Sequence, residues 1–221
     1  MNRLAAATMR IATLAIFVMI PALAYAGAQR YTHPQFGEIT KEHKTVAVLP
    51  FKVVIDSKHL PKNVTPAMVT ESEKEESQEF QRQLYARFLQ RAGDGEYRVG
   101  FQDIDLTNTL LARAGFPLDS LALRTKDEIA KVLGVDALVS GTVHQAQPTS
   151  TGAAVVQTLF LGFSGSTQRV DINMVIHDGA DAALLWSYDH TDKGGLANSV
   201  EAMTKSLLKK VAGNFPYRIK K

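Results

Sequence analysis

The sequence predicts an α/β fold, in which a single mixed sheet has helices packed on it and the chain ends in an antiparallel hairpin and a C-terminal helix. Two short apolar runs, over 44–51 and 135–143, have hydrophobic residues on successive positions, as buried central strands do. The stretch 167–188 instead alternates polar and apolar residues around a turn, which is typical of a half-exposed hairpin. Between and after these strands, apolar residues recur at helical spacing.

The first apolar run is the predicted centre of the sheet. Val46 and Val48 should lie on one face and Ala47 and Leu49 on the other, so both faces need a cover. Pro50 has no backbone N–H to donate. We therefore expect pairing to fail there and the chain to leave the sheet, with a possible strand extension over 53–55.

Three helices are predicted between the two buried runs. The first should begin at Thr70 or Ser72, because Ser72 and Glu75 match a capping box. The other two should cover 105–114 and 125–133, and Thr125 with Glu128 matches a capping box at the start of the last one. A second, short strand is expected over 97–102, between the first two helices. The long helix should bury an aromatic and aliphatic stripe formed by Phe80, Leu84 and Phe88 with their neighbours Tyr85 and Leu89.

The second half of the chain contains the hairpin and the last helix. Gly141, inside the second buried run, predicts a bulge or the close approach of another backbone. The last helix should follow Gly195 and end near Gly213. One face of the hairpin should carry Val170, Ile172, Met174 and Ile176 on its first strand and Leu184, Trp186 and Tyr188 on its second.

The N-terminus predicts export. Residues 1–26 have a basic start, an apolar segment and a small-residue end, which is the pattern of a signal peptide cleaved before Gly27 to give a periplasmic protein. A membrane anchor is the alternative, but the apolar run is short for a span. The remaining chain divides into an extended N-terminal arm over 27–44, an α/β envelope interaction domain over 45–216 and a basic tail over 217–221.

Composition excludes several classes of function. The chain has no cysteine, which rules out disulfides, thiolate metal sites, a cysteine nucleophile and a lipid anchor on a first mature cysteine. Two of the 25 basic residues lie in the predicted signal, which leaves the mature chain with a formal charge of +1. That balance gives no electrostatic case for nucleic acid. The basic tail is either a solvated end or a weak peripheral contact with anionic lipid.

No motif of convincing chemical specificity occurs. The sequence lacks the patterns of serine hydrolases, nucleotide-binding loops and zinc proteases, and we predict no catalytic residue, no cofactor and no metal. The alternative is a small periplasmic hydrolase or ligand-binding enzyme that uses His144, Asp189 and His190. That alternative requires the three side chains to converge in a concave pocket.

The stretch 145–166 is unusual, because glycine and serine flank an apolar run over 153–163. The run either packs on the domain core or forms an exposed flap for oligomerisation or membrane contact. We predict a partner-binding surface formed by this run and by the hairpin. Its residues are Val155, Val156, Leu159, Phe160, Leu161, Phe163 and Trp186.

Three motifs in order carry a family resemblance. Val-Ala-Val-Leu-Pro-Phe over 46–51, Leu-Gly-Val-Asp-Ala-Leu-Val-Ser-Gly-Thr-Val over 133–143, and the hairpin around Asp178 and Trp186 resemble bacterial envelope domains related to the amino-terminal domain of the Tol-Pal propeller protein. Curli secretion lipoproteins and penicillin-binding-protein activator lipoproteins are similar. The resemblance spans about residues 44–216.

The resemblance implies a mixed-sheet domain that binds another envelope protein or assembles into a ring, without catalytic residues. Two departures matter. The lipid-carrying cysteine is absent, and 153–163 is too short for the paired membrane-spanning strands of the curli channel, so we expect no pore. The prediction is thus a non-catalytic periplasmic protein with an envelope protein partner, or a homo-oligomer.

Overall fold

In the computed structural model, which describes residues 28–56, 64–146, 169–193 and 200–219, seven strands form one mixed sheet. Five α-helices and two 3-10 segments accompany the sheet in this part of the chain. The predicted fold class is confirmed, including the hairpin and the C-terminal helix. The strands are β1 Gln29–Thr32, β2 Thr45–Val48, β3 Lys52–Ile55, β4 Gly100–Phe101, β5 Ala137–Ala146, β6 Arg169–Asp178 and β7 Leu184–Lys193.

The helices are distributed along the whole described chain. The 3-10 segments are Thr40–Glu42 and Leu118–Leu123. The α-helices are α1 Phe36–Ile39, α2 Pro66–Gly93, α3 Ile104–Arg113, α4 Lys126–Leu133 and α5 Val200–Gly213. No helix in the described ranges is both long and apolar enough to cross a membrane.

The sheet has a parallel half and an antiparallel half. Its strand order is β1-β7-β6-β5-β2-β4, and β3 pairs with β5 beyond the end of β2. Strands β2 and β3 run parallel to β5, and β4 runs parallel to β2. Strands β5, β6, β7 and β1 are antiparallel in succession. The second predicted strand, over 97–102, is reduced to the two residues of β4.

The interruption at Pro50 is shorter than predicted. The N–H of Leu49 still donates to the carbonyl of Val139 at 2.9 Å, and pairing resumes at Lys52 against the same neighbour, β5. The chain therefore does not leave the sheet, because a proline removes only its own donor and the β-branched residues after it favour a strand. At the gap, Gln81 Nε2 donates to the carbonyl of Val48 at 2.8 Å.

Both faces of β2 are covered, as predicted. Val46 and Val48 belong to the larger core, which includes residues of α2, α5 and the hairpin. Ala47 and Leu49 belong to a second core formed with α3, α4 and the 3-10 segment that precedes α4. The parallel half of the sheet is thus the middle layer of three.

The start of α2 was predicted too late. Thr65 is the N-cap, its hydroxyl accepts a hydrogen bond from the N–H of Met68 at 3.3 Å, and Pro66 occupies the first turn, where proline is favoured. Ser72 is a buried residue inside the helix. Of the predicted stripe, Phe80, Leu84 and Phe88 are buried, whereas Tyr85 is partly exposed and Leu89 is 42% exposed. The capping box of α4, with Thr125 and Glu128, is also confirmed.

The hairpin departs from strict alternation at its turn. A register shift between Ile176 and His177 leaves Leu185 without a paired residue, so Leu185 is fully buried while Leu184 is 39% exposed. The prediction that Leu184 shares a face with Trp186 and Tyr188 was therefore wrong, because one extra residue on a strand reverses the faces beyond it. Trp186 and Tyr188 are buried, as predicted.

The residues predicted as an extended N-terminal arm contain regular structure. From residue 28 onward they form β1, α1 and a 3-10 turn, and β1 pairs with β7 in the main sheet. Phe36 and Thr40 are buried. This part of the chain is therefore packed on the domain, while the predicted cleavage before Gly27 falls outside the described residues.

Candidate functional site

The structure describes one part of the predicted partner surface. Its residues in the apolar run, from Val155 to Phe163, lie outside the described residues. Trp186 lies in β7 and is 2% exposed, stacked on Tyr188 with ring centroids 5.7 Å apart. Its ring belongs to the core of this chain, so the role predicted for it in partner binding stays a prediction.

The three residues of the enzymatic alternative do not form one site. His144 pairs with Asp171 of β6, whereas His190 pairs with Ile172, the next residue along the same strand. Because consecutive strand residues point to opposite faces, the two histidines lie on opposite sides of the sheet. Asp189 lies on the face opposite to His190 and accepts a hydrogen bond from Asn173 Nδ2 at 2.8 Å.

His190 has its own neighbours on the core side of the hairpin. Its ring stacks on Tyr188, and its Nε2 lies 3.1 Å from Nζ of Lys210 in α5. Burial, and then the positive charge of Lys210, lower the pKa of His190 below its ordinary value. Across the described ranges, no group of three histidine, aspartate or glutamate side chains is placed to hold a metal ion.

The antiparallel half of the sheet has one covered face and one polar face. Val170, Ile172, Met174 and Ile176 of β6 are buried on the side of α5. On the other face the polar side chains bond to one another. Asp171 accepts from Arg169 and Thr191, and Asn173 donates to Asp189. These bonds hold the face in one arrangement.

The outer edge of this half is β1. Within the described residues, β1 has β7 as its single neighbour, and all four of its residues are exposed. The N–H of His33 donates to the carbonyl of Leu185 at 2.8 Å, so His33 is one of the residues whose backbone groups point toward β7. In an antiparallel pair, alternate residues bond the neighbour, so the N–H and C=O groups of Arg30 and Thr32 point away from β7.

Side chains around β1 fix its position. Arg30 Nη1 donates to Asn214 Oδ1 at 2.8 Å, which joins the strand to the end of α5. Tyr31 pairs with Ser187, and Ser187 pairs with Val175, so these three residues form a row on the polar face. Tyr31 is 42% exposed. The arrangement is an edge of unpaired backbone groups beside an exposed aromatic ring.

Sequence reasoning missed a buried polar cluster at the turn end of the hairpin. His43 Nε2 lies 3.0 Å from Asp178 Oδ1, and His43 Nδ1 lies 2.8 Å from the hydroxyl of Tyr217. Burial raises the pKa of Tyr217 well above its ordinary value, although Arg98 opposes that shift. The hydroxyl is thus a stable neutral hydrogen-bonding group, and no local motif could have brought these three residues together.

Asp136 fixes the start of β2 beside this cluster. Its Oδ2 accepts from the N–H groups of Lys44 and Thr45 at 2.7 and 2.8 Å. Burial disfavours the charged carboxylate, but these two hydrogen bonds and the charges of His43 and Lys44 outweigh it, so the pKa of Asp136 is lowered. Asp136 immediately precedes β5, so its carboxylate holds the start of β2 beside the start of β5.

The comparisons with known proteins concern overall structure. No protein-family model matches the chain, and no curated protein matches it. It is similar to a PelC dodecamer subunit from Paraburkholderia phytofirmans, at 15% identity and a TM-score of 0.46, over 88% of this chain and 99% of that chain.

Two further solved structures are similar to this chain. Lipoprotein GNA1162 from Neisseria meningitidis is 13% identical, with a TM-score of 0.48, over 77% of this chain and 96% of that one. The C-terminal domain of LpoB from Salmonella enterica is 9% identical, with a TM-score of 0.36, over 73% and 94% of the two chains. At these identities and TM-scores the likeness assigns no function to this chain.

Proposed function

We propose that this chain is a non-catalytic, exported protein of the bacterial envelope that binds an extended segment of a protein partner along β1. The observation that supports this proposal is the outer edge of β1, where the backbone groups of Arg30 and Thr32 are directed away from the sheet. An extended peptide is the ligand that satisfies such groups, because it adds a strand to the sheet.

The edge is narrow, which limits the bound segment to a short strand. Pro34 is the next residue in phase with Arg30 and Thr32, and it has no N–H to donate. A four-residue edge closed by proline pairs with a short segment and is protected from open-ended aggregation. Tyr31, exposed beside the edge, adds an aromatic contact of the kind common at protein interfaces.

The position of β1 favours binding without a large rearrangement. Its inner side is bonded to β7, and Arg30 is held by Asn214 at the end of α5. A strand that is already ordered loses little conformational entropy when a partner pairs with it. The predicted apolar surface over 155–163 is a second proposed contact of the same protein.

The test is an in-cell crosslinking pull-down of the tagged mature protein, with bound proteins identified by mass spectrometry. Thr32→Pro removes an outward N–H and leaves the bonds to β7 intact, while Thr32→Val keeps that N–H in a side chain of similar shape. We expect one or two envelope proteins in the wild-type and Thr32→Val samples and their loss from Thr32→Pro.

Circular dichroism establishes that each variant is folded. Equal recovery of the same partners with folded Thr32→Pro would overturn binding at this edge. Recovery of the protein alone, with a solution mass above that of one chain, would replace the partner with a second copy. Leu161→Asp in the same assay tests the apolar surface, and unchanged recovery would remove that contact from the proposal.

A further inference from the structure

A cleft lies where the pairing between β2 and β5 is interrupted. Its volume is about 400 Å³. Helix α2 lines it on one side, and α4 with the 3-10 segment Leu118–Leu123 lines it on the other. Residues 49–53 and residues 140–142 of β5 also line it. A volume of this size is typical of pockets for small molecules.

Most of the cleft wall is hydrophobic. The apolar side chains come from both sides of the sheet, because the missing ladder at Pro50 leaves a gap between the two cores. They are Leu49, Phe51, Val53, Leu118, Leu121 and Val175. A ligand that fills the cleft therefore has an apolar body.

Lys126 introduces a positive charge into this wall. It is the first residue of α4 and is partly buried, and burial lowers the pKa of its ammonium below the ordinary value. Among the side chains and backbone groups that the structure describes, none accepts a hydrogen bond from its ammonium. His177, its titratable neighbour on β6, has its own pKa lowered by burial and then by the charge of Lys126.

The other charged groups around the cleft leave an excess of positive charge. Lys52 also lines it, and Glu73 is the acidic residue among the described lining residues. The carboxylate of Glu73 is occupied, because its Oε1 accepts the N–H of Ile55 at 2.9 Å. The charge balance therefore favours an anion near Lys126.

Ser77 lies beside the cleft on α2 and is 1% exposed, and its hydroxyl has no hydrogen-bond partner within the described part of the chain. Because the hydroxyl oxygen itself is buried, a ligand in the cleft reaches it only after a rotation of the side chain. The cleft thus offers one cation, Lys126, in an apolar setting.

We propose that this cleft binds a small monocarboxylate with an apolar chain, whose carboxylate pairs with Lys126 and whose chain lies against the hydrophobic wall. The inference is independent of partner binding at β1, because the described residues that line the cleft include none from β1 or β7.

Isothermal titration calorimetry of the mature protein with octanoate tests the proposal, with octan-1-ol as the uncharged probe of equal chain length. We expect saturable binding of octanoate. Octan-1-ol should bind with an affinity at least about tenfold lower, because one charge-assisted hydrogen bond is lost. Lys126→Met should reduce octanoate affinity about tenfold and bring it close to that of octan-1-ol.

Two further variants complete the test. Lys131→Met changes an exposed lysine of the same helix that does not line the cleft, so its octanoate affinity should equal that of the wild type. Val175→Trp fills the cleft and should abolish binding of both probes in a folded protein. No saturable octanoate binding, equal affinity for the two probes, or an unchanged affinity in folded Lys126→Met would each overturn the assignment.

Discussion

His43 Nε2 lies 3.0 Å from Asp178 Oδ1, and this contact joins the segment before β2 to the turn of the hairpin. Both side chains are nearly buried, and the hydroxyl of Tyr217 completes the cluster at 2.8 Å from His43 Nδ1. Three distant parts of the chain, including the segment after α5, therefore meet at one polar point. A buried polar cluster is stabilising only while each member keeps its partner.

Tyr217→Phe should lower the free energy of unfolding by about 1–3 kcal/mol, because it leaves a buried nitrogen of His43 without its partner. The phenyl ring keeps the contacts of Tyr217 with Phe36, 5.3 Å between ring centroids, and with the guanidinium of Arg98, 5.1 Å from the ring centre. Urea unfolding measures the change. Tyr31→Phe, at an exposed tyrosine, is the control and should stay within about 0.5 kcal/mol of the wild type.

Gly141→Ala should be among the most destabilising single substitutions in the sheet. A Cβ at this position would overlap the carbonyl oxygen of Asn173 and would lie 2.5 Å from Cε1 of Phe51. The predicted close approach of another backbone is thus confirmed. Relief of the clash requires the ladder between β5 and β6 to move, at a cost of about 1–3 kcal/mol or more.

The matched control for that substitution is Gly37→Ala in α1. A Cβ there meets no atom within 4 Å. Alanine in a helix is favoured over glycine, so the control should be neutral or stabilising by up to about 1 kcal/mol. In thermal or urea unfolding, Gly141→Ala should therefore be less stable than the wild type, and Gly37→Ala should be equally stable or more stable. Equal stability of Gly141→Ala and the wild type would contradict the packing at this position.

Stability should fall as the pH drops below the ordinary histidine pKa of 6.5. Burial lowers the pKa of His177 and of His190, with Lys126 and Lys210 respectively adding to the shift. The Nδ1 atoms of both rings are buried without a hydrogen-bond partner among the described residues. Since the unfolded chain then binds protons more readily, stability is fully present above 6.5 and decreases as the pH falls toward the lowered values.

Urea unfolding at about pH 7.5 and about pH 5.5 measures this dependence. A double variant, His177→Asn with His190→Asn, should lose less stability between the two conditions than the wild type does. At the higher pH both rings are neutral in the folded and the unfolded chain, so that condition isolates the packing cost of the substitutions. An identical loss in both proteins would show that other groups cause the dependence.

The parts of the fold that were predictable depend on local patterns. The two faces of β2, the buried stripe of α2, the capping box of α4 and the alternation of β6 all follow from side chains a few residues apart. The late start predicted for α2 shows the limit of such patterns. Ser72 and Glu75 matched a cap, but Thr65 and Pro66 provide the real one.

The candidate site was less predictable, because it depends on pairing between distant strands. The sequence suggested that His144, Asp189 and His190 could meet, and the register of β5, β6 and β7 places the two histidines on opposite faces. The open edge of β1 was also unpredictable, since residues 27–44 showed no clear period. Strand order, and not local propensity, decides which backbone groups remain unpaired.

The sequence by itself determined the class of fold, the central strand and the cores on its two sides, because burial imposes a period on neighbouring residues. Tertiary structure alone decided the contact of His43 with Asp178 and Tyr217, the role of Gln81 at the end of β2 and the cleft at Pro50. The first two require groups from separate segments to form hydrogen bonds with one another. The cleft requires separate segments to leave a gap between them. No local pattern of residues indicates which segments become neighbours in the folded chain.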